Sequence, residues 1–340
     1  VLAGILLHGA WAARVAARNQ RATMQARQAT AEPGVAEPMA AAGQGADAVS
    51  AAASSGDGLR AKRQAARIDP LIDAVATLGL ETPASGEHVA AHLPGSLRAG
   101  SKPFLIEGLN CTNGEWEPVA PGQHYGELQA GVQLASRSGA INEIEYSEFV
   151  QILQRFADAL GAMVEFPDML DVVARGRELD AFAGQHDAQL AVHLQARSAA
   201  WSVGYVVQHA SRHGFVPGAV AGRLVLPAGE DGAPPIVILS FDPNAALAAL
   251  AGEPQHSNVR DVTLSFDVPQ TDARFAPFAA WQASARALSL GMDAAIVDDQ
   301  GQAISVAGFA RIGDELELIY TSLRERGLAA GSPAARRLFS

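Results

Sequence analysis

Apolar and polar residues alternate in short runs along the second half of the chain. Leu190, Val192 and Leu194 each stand between polar or small neighbours, and this period of two predicts a half-buried strand over 187–195. Apolar residues at helical spacing predict helices elsewhere. The elements predicted after 186 are a strand at 187–195, a helix at 200–213, strands at 218–226, 235–241 and 262–268, a helix from Pro277 to Gly291, a strand at 294–297, and a helix carrying Phe309 to Leu323.

Residues 71–182 give a shorter version of the same order. The predicted elements are a strand at 71–80, a helix at 86–93, strands at 103–109, 114–119 and 127–134, a helix ending at Gly161, a strand at 163–166 and a helix at 170–182. In both stretches a long helix precedes a glycine, a short apolar strand and an acidic residue, Asp168 or Asp298. This favours a degenerate internal duplication of an α+β unit, with chance similarity as the alternative. Each unit is predicted to be a mostly antiparallel sheet with helices on one face.

The first 13 residues are mostly apolar, and Arg14, Arg18 and Arg21 follow them. Because the run is shorter than the ~20 residues that span a bilayer, we interpret it as the end of a truncated transmembrane anchor. Arginines after the run predict a cytoplasmic location for the rest of the chain. An exposed amphipathic helix and the tail of a signal peptide are the alternatives.

Residues 14–66 are predicted to form a basic juxtamembrane stretch and a disordered linker, since 28–58 consists mostly of Ala, Gly, Pro, Ser and Gln. A second basic cluster closes the linker and contains Arg60, Lys62, Arg63 and Arg67. The predicted division is an anchor at 1–13, the stretch and linker at 14–66, a degenerate α+β domain at 67–185, a second α+β domain at 186–330 and a flexible tail at 331–340.

Composition and charge narrow the function classes. The 340 residues are 49% hydrophobic and 18% charged, which is typical of globular proteins. A net charge of −11 argues against nucleic acid as a partner. Residues 1–69 hold eight basic and five acidic side chains, whereas 70–340 hold 17 and 31, so the body is acidic. Cys111 is the only cysteine, which excludes an internal disulfide.

The sequence contains no constellation that predicts catalysis. The glycine-rich phosphate loops and the nucleophile elbow are absent. His209 and His213 have the spacing of two metal ligands on a helix, but no third ligand accompanies them. We therefore predict no catalytic residue, no metal site, no cofactor and no small-molecule substrate, and we predict that the protein is not an enzyme.

Several segments of the second domain resemble one known family. They are the alternating strand at 187–196, the helix that closes at Gly214, the segment 262–269 and, most specifically, the sequence Ala-Ile-Val-Asp-Asp-Gln at 295–300. These segments resemble the C-terminal FtsZ-binding domain of the bacterial cell division protein ZipA family. The apolar N-terminus, basic stretch and linker also match the layout of that family, and 67–185 is interpreted as a degenerate second copy of the domain.

The resemblance implies a single-pass protein of the bacterial inner membrane that binds the C-terminal tail of FtsZ along an exposed sheet face. The groove positions it implies are Gln189, Ala191, His193, Val220, Phe241, Ser265 and Asp267. Most family positions that are apolar or aromatic fall here on polar or small residues. Two interpretations stay open: the fold is kept while FtsZ affinity is weakened, or the partner surface has moved.

The leading hypothesis is a non-catalytic, membrane-anchored scaffold of the divisome that recruits FtsZ or another division protein to the septum. The alternative is a membrane-tethered sensor or adaptor that binds a small ligand or a different protein between the two domains. These hypotheses differ in where the partner binds, on an open sheet face or at the junction between the domains.

Overall fold

The computed structural model describes residues 67–230, 232–253 and 255–340. The predicted anchor and linker, 1–66, lie outside these residues. The described chain is an α+β fold with two six-stranded sheets in which all neighbouring strands are antiparallel. The α+β class predicted from the sequence is confirmed at this level.

The first sheet has the strand order β2-β3-β5-β1-β8, with β4 paired to β3. Its strands are β1 (Asp73–Ser85), β2 (Arg98–Ala99), β3 (Lys102–Asn110), β4 (Trp116–Pro118), β5 (His124–Gln133) and β8 (Met163–Glu165). Two-residue strands β6 (Ala135–Ser136) and β7 (Gly139–Ala140) form a separate hairpin. The helices of this half are α1 (Gly86–His92), α2 (Glu143–Leu160) and α3 (Met169–His186).

The second sheet has the strand order β11-β12-β13-β15-β9-β16. Its strands are β9 (Gln189–Ala196), β11 (Val216–Pro217), β12 (Arg223–Leu226), β13 (Val237–Ser240), β15 (Asp261–Asp267) and β16 (Ala294–Val297), and β10 (Trp201–Ser202) pairs separately with β14 (Asn258–Val259). The later helices are α4 (Val203–Ser211), α5 (Pro243–Leu250), α6 (Pro277–Met292), α7 (Val306–Glu325) and α8 (Pro333–Leu338), with a 3₁₀ turn at Ala273–Phe275.

Both sheets place their first strand between a long neighbour and a short edge strand. β1 lies between β5 and β8, and β9 lies between β15 and β16. A long helix, α2 or α6, makes the connection to the edge strand, and a left-handed residue ends that helix. Gly161, with φ 62°, is the left-handed C-cap of α2. Helix α6 continues past Gly291 to Met292, and Asp293, with φ 52°, is its left-handed C-cap. The second helix therefore extends beyond the glycine at which the sequence predicted its end.

Each sheet packs against helices through its own apolar core. The first core joins Ala74, Leu128 and Phe104 of the sheet to Phe149 and Leu153 of α2. The second core is centred on the aromatic ring of Trp281, whose Nε1–H donates to the Leu264 carbonyl at 2.9 Å. Phe266 and Phe309 meet that ring edge to face, with centroids 5.9 and 5.7 Å away.

The C-terminal segment crosses from the second core to the first. On α7, Phe309 and Leu316 belong to the second core while Leu323 belongs to the first. Helix α8 then adds Leu338, and the residue that caps it adds Phe339, both fully buried, to the first core. The prediction of a flexible tail at 331–340 is therefore wrong, because these side chains complete a core whose other residues lie far away in sequence.

Most predicted elements lie within a few residues of the observed ones, and the strand at 294–297 coincides with β16. The sequence prediction lacked α5 and α8. Helix α5 begins after the cap Asp242 with proline at its first position, a recognisable start signal, but it is short and rich in alanine. Within residues 67–340, leaving aside 231 and 254, no helix is both long and apolar enough to cross a membrane.

Candidate partner-binding face

One face of the second sheet is buried in the core and the other is more open, because buried and less buried residues alternate along β9, β13 and most of β15. Leu190, Val192 and Leu194 of β9 are buried in the second core, as are Leu264 and Phe266 of β15. Side chains between these positions point to the opposite side of the pleat. Helices α4, α6 and α7 contribute to the core on the buried side.

An apolar row crosses this open face. The register pairs Val216 with Val225, Val225 with Ile238, Ile238 with Ser265 and Ser265 with Ala191. Residues that pair directly share a face, so these five side chains form one row across five strands. Val216 is 44% exposed, Val225, Ile238 and Ala191 are half-buried, and Ser265 is buried.

A second, polar row runs parallel to the first. Arg223 pairs with Ser240, Ser240 with Thr263, and Thr263 with His193. We call the two rows together the second open face. Arg223 is exposed, while Ser240, Thr263 and His193 are half-buried. The face thus combines aliphatic side chains in one line with hydrogen-bonding groups in the next.

Both ring nitrogens of His193 have partners. Nε2 lies 3.0 Å from Asp299 Oδ1 in the turn after β16, and Nδ1 lies 3.1 Å from Thr263 Oγ1. Asp261 Oδ2 is 3.4 Å from the same Nδ1. The neighbouring Asp298 carboxylate accepts backbone N–H bonds from Gln300 and Gln302, at 2.9 and 2.8 Å, and shapes the turn. The imidazole therefore holds the turn against the polar row.

The structure brings together only part of the predicted groove. Ala191, His193 and Ser265 lie on the second open face, and Gln189 lies at its end, paired with Asp267. Val220 is 57% exposed in the loop before β12. Ser240 lies on the second open face, so the next residue, Phe241, points to the other side of the sheet. There it packs against the second core. Assigning Phe241 to the groove is therefore wrong.

Asp267 is tied to the first half of the molecule. Arg137, in the turn between β6 and β7, places Nη2 2.5 Å from Asp267 Oδ2 and 2.6 Å from Asp187 Oδ1. Burial raises the pKa of Asp267, and the charge and hydrogen bond of Arg137 oppose that rise. Asp187 lies two residues before β9 and Asp267 is the last residue of β15, so both stand at the same end of the β9–β15 pair. Arg137 joins that end to the β6–β7 hairpin.

Three residues of the apolar row, Val216, Val225 and Ile238, were absent from the prediction. The alternation in 223–226 and 237–240 identifies strands, but it does not tell which strands become neighbours of β15. Their juxtaposition depends on the register of β13 against β15. Alternation within each strand is visible in the sequence, but the pairing between the strands is not.

Two shallow pockets lie away from this face, in the first half of the molecule. A shallow pocket of about 360 Å³ lies beside α1 and α2 and is lined by His92, Ile152, Arg155 and Phe156. Among the described residues, no group of three or more His, Cys, Asp or Glu side chains is arranged to hold a metal ion. Comparison of the chain with protein-family models and with curated proteins finds no match.

Proposed function

We propose that this protein is a non-catalytic, membrane-anchored scaffold of bacterial cell division that binds an extended peptide on the second open face. The peptide we propose is the C-terminal tail of FtsZ or a corresponding segment of another divisome protein. The observation that carries the proposal is the apolar row from Val216 to Ala191, which lies opposite the helices on a face that remains accessible.

The face has the physical requirements of a peptide site. An extended peptide places alternate side chains on one side, so a straight apolar row gives it a line of contacts. Burying a half-exposed valine or isoleucine contributes about 1 kcal/mol each, since complete burial contributes about 1.5–3. Three such contacts contribute about 3 kcal/mol, so hydrogen bonds along the polar row have to offset the cost of association before binding reaches about 1 mM. We therefore expect weak, reversible affinity.

The proposed layout joins this face to a membrane. Residues 1–13 serve as part of the anchor, and 14–66 serve as a basic stretch and linker that let the body reach a partner at the inner membrane. We further propose that 67–185 and 186–330 descend from one duplicated unit of the ZipA type. The shared placement of β1 and β9 between a long strand and a short edge strand supports this.

The test is binding of a fluorescein-labelled FtsZ tail peptide to the full chain, measured by anisotropy. We expect a dissociation constant of about 1 mM, because only three apolar anchors are available. Ile238→Glu places a charge in the middle of the apolar row and is expected to weaken binding at least tenfold. Leu250→Glu is the matched control, because Leu250 is 82% exposed on α5, and it should leave binding unchanged.

Two outcomes would contradict the proposal. One is an absence of binding up to several millimolar peptide by a chain whose circular dichroism shows it to be folded. The other is equal loss of binding in Ile238→Glu and Leu250→Glu, which would indicate contact outside the second open face. Binding that survives Ile238→Glu but fails with Val220→Glu would move the site to the loop before β12.

The alternative, a ligand cleft between the two halves, has less support. The junction is occupied by Arg137 with its two aspartates, and by α8, whose Arg337 reaches Asp73 of β1. Gln133 Nε2 also donates to the Arg337 carbonyl at 2.7 Å. Side chains of the protein itself therefore make direct contacts at this junction.

A further inference from the structure

The face of the first sheet that lies away from α2 is partly covered by residues 67–69. We call it the first open face, and the register divides it into three rows. The first row is Val75, Leu105 and Gly131; the second is Thr77, Glu107, Gln129 and Glu165; the third is Gly79, Leu109, Trp116, Glu127 and Met163.

The start of the described chain lies on the first two rows. The Ile68 side chain rests on Gly131, where an added Cβ would be 2.7 Å from Ile68 Cγ2. The Glu107 carboxylate is completely buried, and it accepts bonds from the backbone N–H of Arg67 and from Gln129 Nε2 at 3.1 Å. Arg337 Nη1 donates to the Arg67 carbonyl at 2.7 Å. Residues 67 and 68 are therefore held on the sheet.

The direction of the chain points to the third row. Ile68 contacts the first row and Arg67 contacts the second, and Glu127 stands in the next row along β5. Seven extended residues reach about 23 Å, which exceeds the ~14 Å from β3 to β8 across three strand spacings. Residues 60–66 are thus long enough to cross the rest of the face.

The charges of the face and of the segment are complementary. Glu127 is half-buried and Glu165 is exposed, and within the described part of the chain neither has a basic partner at ion-pair distance. Residues 60–66 contain Arg60, Lys62 and Arg63 and no acidic residue. Trp116 is half-buried and Met163 is 82% exposed, so the apolar stems of arginine and lysine have surfaces to cover.

We propose that the basic segment 60–66 of this same chain docks along the third row of the first open face, with its cations beside Glu127 of that row and Glu165 at the β8 end of the second row. The segment and the contacts of 67–69 then occupy the first open face from one end to the other. The second open face is left as the accessible one. A partner can therefore reach the open face of the second sheet but not that of the first, whichever partner the second face binds.

Trypsin cleavage of the full chain tests this docking, because the enzyme cuts after Arg60, Lys62 and Arg63 only when the segment is released. In a Glu127→Lys, Glu165→Lys double variant we expect cleavage at these sites to be about fivefold faster, since up to two ion pairs become repulsions. Cleavage after Arg21 and Arg27 serves as the internal standard. Asp314→Lys with Glu253→Lys is the matched control for charge, and it should behave as the unmodified chain.

Raising salt to 1 M should accelerate cleavage at 60–63 in the unmodified chain and not in the double variant. Equal cleavage rates in the double variant and its control would overturn the proposal. Protection that disappears on tenfold dilution would also overturn it, because it would show that the segment comes from a second copy. Circular dichroism distinguishes release of the segment from unfolding of the sheet.

Discussion

The sequence predicts Asp267 as a residue of the partner-binding groove, but its side chain forms an ion pair within the protein. It stands in the alternation of β15 beside Ser265, where a groove residue is expected. Its carboxylate instead binds Arg137, which is 130 positions away along the chain. The pair is largely desolvated, with 19% of the Asp267 side chain and 32% of the Arg137 side chain exposed. A partly buried ion pair of this kind fixes geometry more than it adds stability.

Arg137→Ala should lower the free energy of unfolding by about 2–3 kcal/mol at pH 7. This is below the 3–5 kcal/mol found when a fully buried pair loses one partner, because Arg137 is partly exposed. Its removal leaves Asp187 and Asp267 close together without a cation. Urea unfolding followed by tryptophan fluorescence measures the change. Arg177→Ala breaks an exposed pair with Glu143 and should cost under about 0.5 kcal/mol.

The effect of Arg137→Ala should also depend on pH. Burial raises the pKa of Asp267, and loss of Arg137 raises it further because an opposing charge is gone. A carboxyl group with a folded pKa above its unfolded value of about 3.9 keeps its proton longer in the folded state. The resulting stability cost is absent at low pH and grows as pH rises through the folded pKa. The difference from the unmodified protein should therefore be smaller at pH 4 than at pH 7, and an equal difference would exclude this explanation.

At the scale of elements, local signals account for where helices begin and end. Helix α2 starts with a capping box in which Asn142 Oδ1 accepts from the N–H groups of Ile144 and Glu145, both at 3.0 Å. The Glu145 carboxylate returns to the Asn142 N–H at 3.2 Å and also accepts from Ser101. The box thereby ties the helix start to the β2–β3 hairpin. Such signals depend on residues three apart, so they are readable in the sequence.

Asn142→Ala should destabilise the fold by about 1 kcal/mol, because two helix N–H groups lose their acceptor. Asn142→Asp keeps an acceptor at the cap and should cost less than half of that. The midpoint of urea unfolding, at constant slope, measures both changes. If the alanine and aspartate variants are equally unstable, the cap is not the source of the effect.

At the scale of the whole molecule, the C-terminus is a structural part of the first half. Helix α8 returns to the sheet that begins at residue 73, and Arg337 bonds Asp73 over 264 positions with an Nη2–Oδ1 distance of 2.6 Å. Burial raises the pKa of Asp73, and Arg337 opposes the rise. Through Arg337 the two ends of the described chain also meet, since this side chain contacts the Arg67 carbonyl.

Phe339→Ala should therefore lower the free energy of unfolding by about 3–5 kcal/mol, the range for removing a fully buried aromatic ring. Leu318→Ala is the control on α7, where the side chain is 72% exposed, and it should change stability by less than about 0.5 kcal/mol. Thermal unfolding followed by circular dichroism reports both. A near-neutral Phe339→Ala would contradict the role given to the C-terminal helix.

The sequence by itself determined most of the helices and strands and the buried side of the long strands. Alternation in 189–196 and helical spacing around Trp281 arise from burying one side of a regular backbone, a condition that neighbouring residues satisfy together. Tertiary structure decided which strands lie next to each other and what covers them. The row from Val216 to Ala191, the Arg137–Asp267 pair and the burial of Phe339 each join distant segments. Local periodicity carries no information about such pairings, because they depend on register and on packing between elements formed independently.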